Sequence, residues 1–595
     1  MTNTMRRRLA DISGALEMRA KGIHTDTWIA LGCVIATLVI SVLPLNVGRS
    51  ETELYLCFMI PAVALTGVLA GCIRNVRFRF SWIDALVLGW YAYAMSRLWL
   101  DATYPAAGFT IRATLMCILY LAMRLLLSGC RLPGKGIAIL LILFATVEAA
   151  MGYIQVLSGA SRHHLYLATG SFLNSGPYSI YLALGAVSLC ALRKSDTIGY
   201  ILLMTLAVPL ALTMSRAAFL AIFVCLTILY HDRIKGWRQW GMLVAAALLG
   251  AATLYFLKSG SADGRGIINF IGIHCLADNP LCGSGIGSFF HGYALKTAEI
   301  STQSHGIDFF SVDVIDYAFN DLLLVGVEQG LIGLAFAAAL TVMVLYRLWP
   351  GCKPLFLTAL SLLVISLLSY PFELLPYQII GVTITSYAAT NAGTEKDREH
   401  PTRGHSFEFI SKLKILAVPT PLFLAAYVCH YSINQRLEAE KEYRMFAGIQ
   451  DSAFIKDNFA LFPYLQDNKH FLFDFAKILS KAHRYNDSND ILRRGAMISN
   501  DPMFLVMQGN NYRDMGALEE AEDMYLKAWH TMPNRIYPLY RLMTLHRRSG
   551  NRDKAMEYAE KVAVFKEKIP SPAVNDMKRE AREIINENYN NKIEK

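Results

Sequence analysis

Residues 137–157 read IAILLILFATVEAAMGYIQVL. A helix needs about 20 apolar residues to cross the hydrocarbon core of a bilayer, and this run supplies them. Backbone groups cannot stay unpaired in lipid, so the run is predicted to be a helix. Two residues break the apolar pattern. Glu148 and Gln155 stand seven apart and therefore share one helix face. An ionised side chain at mid-membrane costs about 2.5–3.5 kcal/mol on insertion scales, so Glu148 is expected to face a polar cavity or a partner span.

Similar runs lie on both sides. The full set is 28–46, 53–72, 82–99, 108–128, 137–157, 172–192, 198–213, 217–230, 239–257, 318–346, 354–371, 376–392 and 413–430. The short runs at 198–213 and 217–230 read as a bent pair. The fold class that follows is all-α: a polytopic membrane protein with about 12–13 spanning helices. With the N-terminus in the cytoplasm, the inner loops carry Arg74, Arg77, Arg79, Arg131, Lys135, Arg193, Lys194, Arg233, Lys235, Arg238, Arg347, Lys353, Lys396, Arg398 and Arg403. The short outer loops hold only Arg49, Arg162 and Arg216. That asymmetry fixes the expected orientation. It puts the long loop 258–316, the segment 370–376 and everything after Tyr431 outside.

Composition divides the chain. Of 595 residues, 54% are hydrophobic and 17% charged, against about 25% charged in a typical soluble domain. The deficit sits in 28–430, the expected membrane domain, while 431–595 is ordinary polar sequence. Residues 1–27 hold Arg6, Arg7 and Arg8 with no small-residue cleavage site after the first run, which predicts a cytoplasmic segment before an uncleaved span. The net charge of +10 lies mainly in short loops, where it sets topology; no nucleic-acid partner is expected. Most of the eleven cysteines lie in apolar runs as small core residues. Cys275 and Cys282 share the long loop, a candidate disulfide pair if that loop faces an oxidising space.

Residues 502–535 read PMFLVMQGNNYRDMGALEEAEDMYLKAWHTMPNR. Gly509, Tyr512, Gly516, Ala521, Tyr525, Ala528 and Pro533 fall at the small, aromatic and proline positions of a 34-residue tetratricopeptide repeat (TPR). Gly550 and Ala555 repeat the offsets, and 468–501 holds a weaker unit. A TPR-like α-solenoid over 431–595 is expected, either docking a protein or covering the membrane domain.

The long loop is rich in chemistry. Arg265 stands among glycines and small residues, where a guanidinium and backbone amides can hold an anion. Gly283, Gly285 and Gly287 form a GxGxG with no strand before it, so a dinucleotide site is rejected. Asp313, Asp316, Tyr317 and Asn320 cluster where the chain re-enters the membrane, and Glu328 lies about a third of the way into the next span.

Four stretches in order resemble the superfamily of O-antigen ligases, O-antigen polymerases and protein O-oligosaccharyltransferases. They are GSFLNSGPYSIYLA (170–183), MSRAAFLA (214–221), SADGR with NPLCGSGIGSF (261–289), and DYAFNDLLLVGVEQGLIGL (316–334). The likeness covers roughly 137–392, and the C-terminal repeats resemble an extension found in one subgroup. The resemblance implies a membrane glycosyltransferase that moves a glycan from an undecaprenyl-diphosphate donor to a hydroxyl acceptor at the periplasmic face of the inner membrane. It also implies an inverting reaction that uses no metal ion. Arg216 and Arg265 would neutralise the diphosphate leaving group; Asn174 and Tyr178 would contact sugar or diphosphate. Many members carry a histidine just before the asparagine that opens the span after the loop; this chain has Phe319 before Asn320. Asp316 is then the first candidate base, on the expectation of a desolvated boundary, with Asp313 and His305 behind it. The acceptor stays open between a lipopolysaccharide core, a growing glycan and a protein Ser or Thr. A non-enzymatic transporter of lipid-linked glycans is the alternative class.

Overall fold

The computed structural model describes residues 25–42, 49–73, 78–101, 103–130, 132–161, 166–192, 197–234, 236–257, 259–303, 309–390, 406–407, 419–449, 451–568 and 570–593. Several expectations fall outside these residues: the N-terminal segment before Thr25, His305, and the topology residues Arg74, Arg77, Arg131, Arg162, Arg193, Lys194, Lys235, Lys396, Arg398 and Arg403.

A helix stands at each predicted span. In chain order these are α1 (Thr25–Val42), α2 (Arg49–Ile73), α3 (Trp82–Leu100), α4 (Ala107–Gly129), α5 (Gly134–Ser158), α6 (Ser175–Leu192), α7 (Thr197–Thr213), α8 (Arg216–Tyr230) and α9 (Trp237–Leu257). Then come α10 (Ser259–Asp278), α11 (Phe289–Gln303), α12 (Asp321–Gly351), α13 (Lys353–Ser366), α14 (Leu375–Thr390) and α15 (Thr420–Phe446). Among the described residues, five helices are long and apolar enough to cross a membrane: Ser50–Ile73, Ala107–Gly129, Gly134–Ser158, Ser175–Leu192 and Asp321–Trp349. Shorter apolar helices lie at Thr27–Ile40, Thr197–Thr213 and Lys353–Ser366. The protein is therefore a polytopic helical membrane protein. The bent pair is real: Met214 takes a left-handed φ of 48° between α7 and α8. The segment 258–316 departs from its reading as a loop, since α10 and α11 fill most of it.

The chain forms two compact units. The first comprises the described parts of Met1–Tyr91, Ile111–Ala251 and Phe336–Asn434. Its core is one apolar cluster running through α1, α2, α4, α5, α6 and α14. Lipid tails are as apolar as leucine, so close packing by small residues must hold such helices together. The α2–α4 crossing shows this: a Cβ on Gly67 would strike the Leu125–Leu126 backbone, and one on Gly129 would strike the Gly67 carbonyl. A two-residue ribbon pairs Phe78 with Phe407 and Arg79 with Ser406.

The second unit comprises the described parts of Ala92–Thr110, Ala252–Ala335 and Gln435–Lys595. Its C-terminal part is α16 (Ile455–Leu465), α17 (Lys469–Lys481), α18 (Tyr485–Ile498), α19 (Met503–Asp514), α20 (Leu518–Thr531), α21 (Ile536–Arg548), α22 (Arg552–Ala563) and α23 (Pro572–Ile593). From α17 onward each helix packs on the next. The Tyr525 ring fills the α19–α20 seam beside Gly509, where a Cβ would come within 2.5 Å of it. Ala521 and Ala528 are buried in the same seam. Helix α11 lies against α18 and α20. His291 Nδ1 bonds the Ala496 carbonyl at 3.0 Å, and Ser301 Oγ donates to the His530 carbonyl at 2.9 Å.

Candidate functional site

Three of the predicted site residues, Arg265, Tyr317 and Asn320, meet in the second unit. Arg265 and Asn269 stand four apart on α10, hence on one face. Asn320 caps α12: its Oδ1 accepts the Leu323 N–H at 3.1 Å, and its Nδ2 donates to Asn269 Oδ1 at 3.3 Å. Just before it, Phe319 adopts a φ of 54°, a left-handed conformation that a bulky residue takes only when its surroundings impose it. The Arg265 guanidinium carbon lies 4.8 Å from the centre of the Phe319 ring, and Tyr317 meets the same ring edge-on at 6.5 Å. Stacking on an aromatic face orients a guanidinium at little cost. Arg265 is partly exposed, so a flat, oriented positive charge borders solvent here. Phe319 thus does something the sequence did not reveal: its ring carries an arginine.

Glu328 precedes a break in α12. Gly330 has φ 67° and ψ −164°, a region open essentially to glycine alone. The break strands backbone groups, and the segment 280–285 takes them up. Ser284 N–H donates to the Val327 carbonyl at 2.8 Å and Gly285 N–H to the Glu328 carbonyl at 3.1 Å. In return Leu331 and Ile332 donate to the carbonyls of Pro280 and Leu281, at 2.8 and 3.2 Å. A Cβ on Gly283 would collide with the Glu328–Gln329 backbone. The first glycine of the GxGxG therefore serves close docking onto a broken helix. Tyr93 and Arg97 secure the same place, donating to the Gln329 carbonyl at 2.8 Å and the Gly283 carbonyl at 3.3 Å. Glu328 itself is buried.

The carboxylates are placed differently from expectation. Asp316 was expected at a desolvated boundary. Instead its side chain is 66% exposed and forms an ion pair with Lys469 of α17. Asp313 is ion-paired to Arg535 at 2.7 Å and to Lys568 at 3.3 Å. Partial burial works to raise its pKa, but the Val314 N–H and the charges of Lys568 and Arg535 together hold the carboxyl below its ordinary value. Both acids are engaged with cations. Cys275 is buried, its thiol pushed up to about 12 by burial and then by Asp278, while Cys282 is exposed. Both are free thiols, so the candidate disulfide is absent from this structure.

In the first unit the polar residues of the opening stretch act inside the fold. Glu148 is fully buried, and its Oε2 accepts the Ser171 N–H at 2.9 Å. Gln155 Oε1 accepts both the Thr169 and Gly170 N–H groups at 2.8 Å, and its Nε2 donates to the Gly170 carbonyl at 2.7 Å. One face of α5 thus clamps the irregular segment 169–171, which would otherwise leave amides unpaired within the helix bundle. Tyr178 was expected to touch substrate; its side chain is wholly buried, and its hydroxyl donates to the Glu148 carbonyl at 3.2 Å. Asn174 Oδ1 accepts the Gly176 N–H at 3.0 Å and closes the turn into α6. Arg216 is the first residue of α8, partly exposed, just after the left-handed Met214.

Sequence reasoning overlooked one buried pair. Arg124 Nε lies 3.1 Å from Asp84 Oδ1, and the two side chains are 3% and 2% exposed. Tyr120, Ser128, Thr390 and the Arg79 carbonyl complete their hydrogen bonds. The isolated charges in 82–99 and 108–128 were the signal that went unused. Among the described residues, no group of three or more His, Cys, Asp or Glu is gathered to hold a metal ion.

Residues 201–338 match the family model of O-antigen ligases. The matched segment contains Arg216, the Arg265–Phe319–Asn320 cluster and the broken part of α12. No curated protein matches the chain.

Proposed function

We propose that this protein is a membrane glycosyltransferase that moves a glycan from an undecaprenyl-diphosphate donor to a hydroxyl acceptor at the periplasmic face of the bacterial inner membrane. The observation that carries the reading is the coincidence of two facts. The segment similar to O-antigen ligases contains the stacked Arg265, and the surrounding chain is a polytopic helical bundle. In this reaction the bond between the sugar's anomeric carbon and the diphosphate oxygen breaks, and the acceptor oxygen bonds that carbon. Charge grows on the departing diphosphate. A guanidinium already oriented by Phe319 stabilises that charge without reorganising at the moment of reaction.

The acceptor must also lose a proton. Asp313 is held by Arg535 and Lys568, which makes it a weaker acceptor of that proton, and the carboxylate of Asp316 is taken up by Lys469. Of the sequence candidates this leaves His305. The C-terminal helices are read as TPR-like repeats on the periplasmic side that dock the bulky acceptor, a lipopolysaccharide core or a protein bearing the target Ser or Thr. Polymerisation of the same glycan differs only in the acceptor.

The test is direct. Purified protein in detergent is incubated with a lipid-linked glycan and, separately, with lipopolysaccharide core, a second lipid-linked glycan and candidate proteins. Transfer to one acceptor without a membrane gradient supports the enzyme and names its class. No transfer to any of them, together with movement of the lipid-linked glycan across a reconstituted bilayer, would replace the enzyme with a transporter.

A further inference from the structure

The second unit holds a feature that catalysis by Arg265 does not account for. Residues 309–316 form a strap between α11 and α12, a 3-10 turn at Phe309–Ser311 followed by irregular backbone, and two asparagines in the connections between C-terminal helices satisfy its backbone. Asn500 is 1% exposed; its Oδ1 accepts the Ile315 N–H and its Nδ2 donates to the Asp313 carbonyl, both at 3.0 Å. Asn534 Nδ2 donates to the carbonyls of Phe310 and Val312, at 2.9 and 2.5 Å. Ion pairs flank these bonds: Asp313 with Arg535 and Lys568, Asp316 with Lys469. Lys566 adds a contact over the Phe310 ring at 5.0 Å.

The other side of the strap touches the candidate site. Ile315 is buried in the cluster that contains Ile268 and Ile271 of α10. A Cβ on Gly264, the neighbour of Arg265, would lie 3.3 Å from the Ser311 carbonyl. Three residues beyond the strap, Phe319 takes its forced left-handed φ beneath Arg265. An irregular backbone has no ladder of its own, so its conformation is fixed by whatever pairs its amides.

We propose that the C-terminal helices are a positioning element for the reacting centre: Asn500 and Asn534 set the strap, and the strap sets Arg265, Phe319 and Asn320. In this assignment Asp313 and Asp316 are tethers of the strap. The proposal rests on the glycosyltransferase reading for its kinetic consequence, and on the geometry alone for its structural one. A repeat domain that served only to dock an acceptor would show itself in the acceptor's KM. A positioning domain shows itself in kcat.

The experiment uses the full-length protein in detergent, with hydrogen exchange of the 309–320 amides read by mass spectrometry beside transfer kinetics. Asn534→Ala and Asn500→Ala are expected to speed exchange across 310–316 and to lower kcat about 10- to 100-fold, the usual cost of slight misplacement of reacting groups. KM for the acceptor should change less than about threefold. Asp316→Asn should stay within about fivefold of wild-type kcat, because an exposed ion pair is worth little. Should the buried Asn500→Ala fail to fold, the partly exposed Asn534→Ala carries the test alone. Unchanged exchange in that variant overturns the strap. Faster exchange with full kcat, or a loss confined to acceptor KM, overturns positioning. A hundredfold loss in Asp316→Asn with unchanged exchange restores Asp316 as the base and removes it as a tether. If wild-type protein transfers nothing, the glycosyltransferase reading fails, and the exchange results still decide whether the repeats hold the strap.

Discussion

Two clusters of polar residues, one in each unit, are placed in opposite ways. In the first, Glu148, Gln155, Asp84 and Arg124 are buried and bonded to backbone or to one another. In the second, Arg265 and Asn320 are partly exposed and gathered on a loop-to-helix junction with a strained backbone. An intramembrane charge invites a functional reading because it is expensive. The comparison teaches that expense alone does not separate catalysis from architecture. A buried charge paired inside the bundle, as Arg124 is with Asp84, holds the fold. A charge oriented by a ring and partly exposed stands where chemistry can reach it.

The largest effect that sharpens this contrast is on stability. Arg124→Leu leaves Asp84 buried without its cation and should cost about 3–5 kcal/mol. Thermal unfolding in detergent reads the loss, and activity per folded molecule should be unchanged. A folded but inactive variant would move this pair from architecture to function. Next is Arg265→Ala, which should cut transfer about 100- to 1000-fold while leaving the melting temperature close to wild type. Normal activity there would break the comparison from the other side. Gly330→Ala should destabilise by at least about 1–3 kcal/mol, because alanine is strained at that φ and its Cβ meets the Leu281 carbonyl. Unfolding measurements that show no change would mean the break in α12 is not fixed by its glycine.

Smaller still is Glu148→Leu, which strands the Ser171 N–H and should cost about 1–3 kcal/mol, whereas Glu148→Gln, which keeps an acceptor, should cost less. Equal losses would show that the negative charge matters, against a purely architectural role. The smallest effect concerns pH. Asp313 has a depressed carboxyl pKa in the folded state, so its contribution is complete above the ordinary value of 3.8 and is lost as pH falls through the lower folded value. Asp313→Asn should therefore lower the melting temperature at pH 6, by no more than about 2 °C given solvent screening, and by less at pH 3, below the ordinary carboxyl value. An effect of equal size at both pH values would remove the charge from the explanation.

Legibility followed the range of the forces involved. Apolar run length decided the helices, because lipid admits no other way to pair a backbone, and every predicted span has a helix at its place. The face shared by Glu148 and Gln155 was readable from spacing, since α5 has a fixed period. So were Gly509, Ala521, Tyr525 and Ala528 as residues of one packing seam. The partners were not readable. Nothing local to residue 316 announces Lys469, and nothing local to residue 313 announces Asn500, Arg535 or Lys568. These contacts join positions more than a hundred residues apart. Desolvation depends on them, which is why Asp316 was expected in a dry boundary and stands in the open.

Composition and local spacing were enough to make this chain a helical membrane protein with a polar helical C-terminal part, and to show which arginines sit among small residues. Those properties depend on composition and on periods of a few residues. It took the folded chain to show that Phe319 carries Arg265, that the first glycine of the GxGxG docks on a broken helix, and that asparagines far along the chain bond the strap before α12. A side chain's role is set by what surrounds it in space, and burial and pairing are properties of that surrounding rather than of the residue.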